Sequence, residues 1–410
     1  MSTKRHVTVF VRSFPVLSET FVINQIKGLV REGLDVAVLS VNPTSDDGQA
    51  EKEIFGTESK GHVNSILPHT SSWKTYVYVF FSFFYCLSSS NRWRLLKLFL
   101  ELFRKGSRFL ARDLLAIVWF CKNKKIATTN CIAHFGVNGV VFDHLRQAGL
   151  VECDNLFTIF HGYEISKYEQ INTWKNFYAK LTGTLLPISE KWKARLVKFG
   201  AEEENIKVLH MGVNVDKFTY SDKPFSNPLN MLSVARATEK KGLTYAIDAT
   251  LSSEKECRLV IVGDGHLMPE LKAQVDKHPN KSRIFLMGSQ PPSEVSLQLK
   301  KADVFILPSV TDNSGDMEGI PVSLMEAMAS GVVVLSTYHS GIPELIQDNI
   351  SGFLVPERDV DALIEKIELI IEHDNIATIR ERARKRVEEE FNAQTLNLQL
   401  VKLLNGENVN

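Results

Sequence analysis

Residues 309–331 read Ser-Val-Thr-Asp-Asn-Ser-Gly-Asp-Met-Glu-Gly-Ile-Pro-Val-Ser-Leu-Met-Glu-Ala-Met-Ala-Ser-Gly. The short apolar run Val304–Pro308 before them reads as a strand. A polar loop follows and closes with Glu318-Gly319-Ile320-Pro321. Pro321 suits the first turn of a helix, where its missing N–H costs nothing. The helix runs through Met325, Glu326, Ala327 and Met328 and stops near Gly331, a natural C-terminal cap. Glu318 is thus expected in a loop at a helix N-terminus, where free backbone N–H groups attract anions. Glu326 falls about one and a half turns inside the helix.

Singly, both glutamates have ordinary readings. Glu318 could complement the helix dipole. Ser323, Glu326 and Ser330 fall at i, i+3 and i+7, so Glu326 could lie on a solvated stripe. The pair is more specific, because Gly319 and Pro321 follow the first glutamate and seven residues separate it from the second.

At 410 residues the chain exceeds a comfortable single core, and two domains are expected. Apolar residues make up 44% and charged residues 23%, the balance of a globular protein in water. Basic and acidic residues both number 48, so a general nucleic-acid role gains no support. The first fifteen residues hold no apolar h-region or cleavage site, and no signal peptide is expected. Cysteines 86, 121, 131, 153 and 257 are odd in number and widely spaced, without a CxxC pair. They favour neither a zinc site nor a disulfide framework and fit the reducing cytoplasm.

Outward from the opening stretch, strand and helix signals alternate. His6–Val11 reads as a strand, Glu19–Glu32 as a helix ended by Gly33, and Val36–Val41 as the next strand. This is the opening βαβ of a doubly wound sheet, whose loops at the carboxyl ends of the strands bind ligands. Ser18 is a candidate N-cap. Leu156–Phe160 is a strand ending at His161-Gly162-Tyr163-Glu164, and His134-Phe135-Gly136 closes another. A histidine at a strand end is structural or catalytic, and sequence alone leaves both open. Leu185–Ile188 is a strand followed by Ser189 as a helix cap. Ser221–Pro228, with two prolines and many polar residues, reads as a linker.

Beyond it, the strand Met231–Ala235 leads to Arg236 and Lys241, which flank the N-terminus of a helix at Leu243–Leu251. Arg clamps phosphate oxygens in bidentate fashion and Lys adds a compact charge, although such a pair is also found on solvated loops. Leu259–Val262 ends in Gly263-Asp264-Gly265, with Met268 where a dinucleotide fingerprint needs glycine, so a dehydrogenase reading fails. Arg283–Met287 leads into Gly288, and helices are expected over 359–373 and 376–403.

Residues 72–125 differ in character. Tyr76–Leu87 is an almost unbroken aromatic and aliphatic run, too short for a spanning helix of about 20 residues. Between 91 and 125, ten basic residues, Arg104, Lys105 and Arg108 among them, face only Glu101 and Asp113. Leu95, Leu96, Leu98, Phe99, Leu102 and Phe103 recur on one helical face. One reading is a basic amphipathic segment on an anionic membrane surface. The other is a buried core helix beside a solvated basic face.

The Glu-x7-Glu spacing resembles the donor-site signature of glycosyltransferase family 4, a retaining family of the GT-B fold. The resemblance covers most of the chain and is strongest from about residue 205 to 360. Pro15–Phe21, His134-Phe135-Gly136 and Ser340–Glu344 resemble the colanic-acid and amylovoran type of exopolysaccharide glycosyltransferase. Pro15–Phe21 stands where many family 4 chains carry a Gly-rich loop. The roles of Ser18, Glu19 and Thr20 are therefore open between donor phosphate, acceptor and helix cap.

The resemblance implies two Rossmann-like doubly wound α/β domains facing across a cleft. Residues 1–220 would be the acceptor side, 221–380 the nucleotide-sugar domain, and 381–410 a helix returning to the first domain. It implies that Arg236 and Lys241 hold the donor diphosphate, with Gly263, Gly288, Gly319, Ile320 and Pro321 lining the donor site. Glu326 would bind the ribose and Glu318 the sugar hydroxyls. His161 would line the sugar and acceptor side, and His134 has a less defined place there.

The implied activity is a retaining hexosyltransferase acting from a nucleotide-diphospho-sugar, with UDP expected from family frequency, on a lipid-linked saccharide. Exopolysaccharide, capsule or O-antigen synthesis would be the setting. No Asp-x-Asp pair stands at a strand end, so neither an obligatory metal nor another cofactor is expected; the cations take that place. The acceptor's lipid favours a peripheral position on the inner face of the cytoplasmic membrane. The alternatives are a nucleotide-sugar epimerase of the same fold and a non-catalytic nucleotide-sugar-binding subunit of a polysaccharide assembly complex.

Overall fold

A computed structural model describes residues 6–16, 19–42, 54–55, 62–67, 73–88, 92–105 and 108–407. The first half of the chain forms β1 (His6–Ser13), α1 (Thr20–Arg31), β2 (Asp35–Asn42), β3 (His62–Ser65), α2 (Trp73–Leu87), α3 (Trp93–Arg104) and α4 (Arg108–Asn123). It continues with β4 (Ile126–His134), α5 (Gly136–Gln147), β5 (Val151–Phe160), α6 (Tyr163–Ser166), α7 (Tyr168–Tyr178), β6 (Thr184–Pro187) and α8 (Glu190–Phe199). The six strands are parallel in the order β3-β2-β1-β4-β5-β6.

The second half repeats the plan. It runs β7 (Leu229–Val234), α9 (Leu243–Ser252), β8 (Cys257–Val262), α10 (Met268–Asp276), β9 (Ile284–Gly288), α11 (Pro292–Lys301), β10 (Val304–Leu307) and α12 (Val322–Ala329). Then come β11 (Val333–Thr337), α13 (Ile342–Leu345), β12 (Phe353–Val355), α14 (Val360–Glu372), α15 (Ile376–Glu390) and α16 (Ala393–Leu404). Its sheet order is β12-β11-β10-β7-β8-β9, again all parallel. Central strands such as Val304–Leu307 are buried on both faces, which is why they read as continuous apolar runs. The order in which the strands are laid down reverses between β1 and β4 and between β7 and β10, and ligands gather at such switch points.

The structure moves several expected features. Pro321 is the N-cap residue of α12, one place outside the helix. Ser189 does cap α8, accepting the Trp192 N–H at 3.3 Å. The short strands β3 and β12 carried too few residues to be read in the sequence. The helix expected over 376–403 is broken at Phe391 and Asn392. The break arises where Val213 donates to the Phe391 carbonyl and accepts from Ala393, both at 2.9 Å. The two chain crossings between the domains thus lie side by side. Asn392 caps α16, whose Leu396, Leu400, Leu403 and Leu404 join the core of the first domain. A Cβ at Gly28 would lie 2.0 Å from the Asn397 amide, so glycine lets α1 and α16 come together.

Helices α2, α3 and α4 pack on one another between β3 and β4. Cys86 and Ser82 of α2 are buried, whereas Phe80, Phe81 and Phe84 are each more than half exposed. The aromatic run is therefore only partly core. Among the described residues, no helix is long and apolar enough to cross a membrane.

Candidate functional site

Loops at the carboxyl ends of the two sheets meet each other. The Tyr168 N–H donates to the Ser314 carbonyl at 2.9 Å, and the Met317 N–H to Ser166 Oγ at 3.2 Å. Gly319 sits so close to β6 and β5 that a Cβ would lie 2.6 Å from Ile188 and 3.2 Å from the His161 carbonyl. Glu344 accepts the Glu190 and Lys191 N–H groups at the start of α8 and pairs with His210 at 3.1 Å. A carboxylate is favoured at that helix N-terminus.

Glu318 is at the centre of the second-domain side. Its Oε2 lies 2.8 Å from Lys241 Nζ, and its Oε1 lies 3.4 Å from Lys240 Nζ. Lys240 also reaches Asp316 at 3.1 Å. Burial alone would raise the Glu318 pKa, but the two ammonium groups together outweigh it and hold the carboxyl at about 2. The lysines arrive here because Gly242 adopts φ +63°, and a Cβ there would lie 1.9 Å from the Pro308 carbonyl. The turn after Lys241 thus rests directly on the end of β10. Arg236 is exposed, and its side chain makes no hydrogen bond or ion pair among the described residues.

The Glu318 loop is held from below. Its N–H donates to His339 Nε2 at 3.0 Å, which leaves the proton on Nδ1 to be donated to Glu357 at 2.6 Å. Glu357 in turn accepts the Thr311 N–H at 2.8 Å. Burial lowers the His339 pKa, consistent with a neutral imidazole accepting at Nε2. His339, Glu357, Lys240 and Asp316 were not singled out in the sequence. Lys240 adjoins Lys241 and could have been weighed with it. His339 and Glu357 reach Glu318 only because β11 and β12 pair successively beside β10.

Glu326 lies on α12, half-buried, and its carboxylate makes no hydrogen bond or ion pair among the described residues. Burial pushes its pKa up to about 7, against a smaller opposing effect of Lys217. Ile320 and Pro321 are buried in the turn before α12. Gly263 adopts φ +139°, and a Cβ there would lie 1.9 Å from the Ala235 carbonyl. Its glycine is thus already required by packing of the loop after β8 on the end of β7. Gly288 accepts the Gly263 N–H at 2.9 Å.

On the first-domain side, His134 Nδ1 and His161 Nε2 are 3.1 Å apart, so one donates and the other accepts. His161 Nδ1 and His134 Nε2 are buried without a hydrogen-bond partner. Burial lowers the His134 pKa to about 3, and burial with the neighbouring His134 lowers that of His161. Both rings are neutral at physiological pH. Glu164 fixes the turn after β5, accepting the His161 N–H at 2.9 Å and the Gly136 N–H at 3.3 Å. The Phe21 and Phe135 rings each lie 4.6 Å from His161. Phe21 brings the start of α1 to this pair. Thr20 is exposed at the first position of α1 and Glu19, half-buried, is the N-cap residue; Ser18 lies outside the described residues.

The arrangement sets a pair of lysines, a carboxylate and an exposed arginine at the switch point of one Rossmann-like sheet. Two neutral imidazoles stand at the end of the facing sheet. Two such domains with a C-terminal helix returning to the first define the GT-B class. The structure of Anabaena HepE in complex with UDP has this architecture: TM-score 0.71, 17% identity, covering 98% of this chain and 100% of that one. Residues 217–390 match the family described as glycosyl transferases group 1. The chain is 36% identical to the protein named as colanic acid biosynthesis glycosyltransferase WcaL of Escherichia coli K12, over 97% of this chain and 99% of that one. It is 35% identical to amylovoran biosynthesis glycosyltransferase AmsK of Erwinia amylovora, over 97% and 98% of the two chains. A more distant relative is an Escherichia coli UDP-Gal:alpha-D-GlcNAc-diphosphoundecaprenol alpha-1,3-galactosyltransferase, 28% identical over 45% of this chain and 44% of that one. The chain belongs to the glycosyl transferases group 1 family.

Proposed function

We propose that the protein is a retaining hexosyltransferase of exopolysaccharide assembly, transferring from a UDP-sugar to a lipid-linked saccharide. The names of WcaL and AmsK support the pathway class, and the diphosphoundecaprenol acceptor of the galactosyltransferase supports the lipid link. The single observation that carries the reading is the Lys240–Lys241–Glu318 cluster at the switch point of the second sheet.

Charge grows on the leaving phosphate as the glycosidic bond breaks, and preorganised cations stabilise that change. Arg236 and Lys241 are the cations assigned to it. Lys241 now rests on Glu318 and exchanges this partner for the diphosphate when donor binds. Glu318, ionised at neutral pH, then accepts from the sugar hydroxyls. Glu326 receives the ribose, and the main chain at Gly263, Gly288 and Gly319–Pro321 borders the nucleotide. The acceptor hydroxyl attacks on the face the phosphate leaves, with a phosphate oxygen taking its proton. His161, its ring set by His134, orients groups at the reacting sugar. Glu19 and Thr20 adjoin the acceptor side. No cofactor is required in this scheme, and the α2–α4 region rests peripherally on the inner face of the membrane.

UDP-hexose consumption, measured with and without a lipid-linked saccharide, tests the reading. Acceptor-dependent consumption with an α-linked product from an α-linked donor is expected. Turnover without acceptor would indicate an epimerase instead, and no turnover with any sugar nucleotide would remove the enzymatic reading.

A further inference from the structure

A second concave surface lies away from these residues. It is a groove of about 650 Å³ bounded by α3, α5 and α7. Arg94, Lys97, Arg104, Lys105 and Lys180 line it, against the carboxylates Glu101 and Asp143. Asp143 is 2% exposed and already engaged by Thr182 at 2.5 Å, Gln147 at 2.7 Å and Arg146 at 3.1 Å. Arg94 donates to Gln147, and Lys105 donates to the Thr173 carbonyl at 2.8 Å. The side chains of Lys97, Arg104 and Lys180 have no hydrogen bond or ion pair among the described residues. Lys97 and Arg104 are seven residues apart, on one face of α3 and about 10 Å apart along its axis.

The other flank of α3 is apolar and about half exposed. Leu100 and Phe103 are each 51% exposed. Phe99 links this flank to α2, with its ring 6.1 Å from Phe103 and 6.0 Å from Phe83. Phe80 and Phe84 of α2, 59% and 53% exposed, continue the surface. One helix therefore separates a cationic groove with three unpartnered cations from an exposed aromatic patch.

We propose that the groove binds the diphosphate of a long-chain lipid whose hydrocarbon lies over the aromatic patch. Charge complementarity selects the polyanion, because the cations are spread over two helical turns rather than focused on one phosphate. Continuity with the patch selects a lipid over a free phosphate. The inference rests on the lipid-linked acceptor reading and sharpens it. The Gly136 N–H at the start of α5 is held by the same Glu164 oxygen that holds the His161 N–H, whereas Gln147 at its far end lines the groove. The 12 residues of α5 span about 18 Å. Val140, one turn into α5, lines the groove as well, so the groove runs along α5 from about 6 to about 16 Å beyond Gly136, and the acceptor saccharide bridges that interval from its lipid diphosphate.

The test is co-sedimentation with neutral phosphatidylcholine vesicles carrying a polyprenyl diphosphate, or phosphatidylglycerol at equal total charge. Wild-type protein is expected to bind the diphosphate vesicles at least about tenfold more tightly. Lys97→Gln, Arg104→Gln and Lys180→Gln together should remove that preference and leave UDP affinity unchanged. A Phe80→Ser, Phe84→Ser variant should weaken capture of the same vesicles. Equal binding to both vesicle types, or an unaltered preference in the triple variant, would overturn the site in favour of general surface adsorption. Absence of binding by protein that still binds UDP would also overturn it. Failure of the transferase reading is separate: no sugar is moved to any acceptor, yet the diphosphate lipid is still captured. A triple variant that uses the lipid-linked acceptor with wild-type KM would sink the groove and leave transfer standing.

Discussion

If Glu326 receives the ribose as proposed, nucleotide binding is a proton-linked event. The Glu326 carboxyl has no partner among the described residues, and burial holds its pKa at about 7. At pH 7 about half of the molecules carry the proton. If ribose hydroxyls donate to this carboxyl, they favour its ionised form. A hydrogen bond to a charged group contributes about 1.5–3 kcal/mol, and one pKa unit corresponds to about 1.4 kcal/mol. One such bond therefore lowers the pKa by about one to two units, and UDP binding at pH 7 releases about 0.4–0.5 proton. The sign follows: ionisation favours binding, so affinity rises with pH, by about five- to tenfold from pH 6 to pH 8. Isothermal titration of UDP in buffers of different ionisation enthalpy at pH 7 reads the proton count directly. Other groups also titrate there, so the quantity of interest is wild type minus Glu326→Gln. Equal proton release by the two proteins would refute the assignment of Glu326 to the ribose.

Arg236→Ala and Lys241→Ala should each weaken donor use by about 1.5–3 kcal/mol, the scale of one charge-assisted phosphate contact; UDP titration of the folded variants checks this, and unchanged affinity in both excludes the diphosphate role. Glu318→Gln should depress turnover more than UDP affinity. It should also flatten acid denaturation. The Glu318 carboxyl, lowered from 4.5 to about 2, contributes stability that is present above pH 4.5 and lost as pH falls towards 2. The stability gap between wild type and Glu318→Gln should thus shrink by about 2 kcal/mol from pH 7 to pH 3 in urea unfolding; a constant gap contradicts the ion-pair account. His161→Ala should leave UDP affinity intact and lower transfer at least about a hundredfold, with near-normal transfer returning His161 to a packing role.

The sequence by itself determined the α/β alternation, the GT-B architecture and the Glu318–Glu326 stretch. The alternation and the stretch rest on local signals: apolar runs of strand length, glycines and caps at helix ends, and two carboxylates a fixed number of residues apart; the architecture followed from the family resemblance those motifs carry. It also marked Lys241, because a lysine before Gly242 and a helix start is a local pattern. Tertiary structure decided what those groups touch. The ion pair of Glu318 with Lys241 spans 77 residues of chain and follows from Gly242 resting on the end of β10. The support of Glu318 by His339 and Glu357 depends on strand order, which no local pattern encodes. The break of the final helix at Phe391 was hidden because helix propensity continues through it, while the competing partner, Val213, lies far away in sequence. Composition likewise left the aromatic run of α2 open between core and membrane. Only packing against α3 and α4 separated its buried Cys86 from its exposed Phe80 and Phe84, because burial belongs to a residue's neighbours in space and not to its neighbours along the chain.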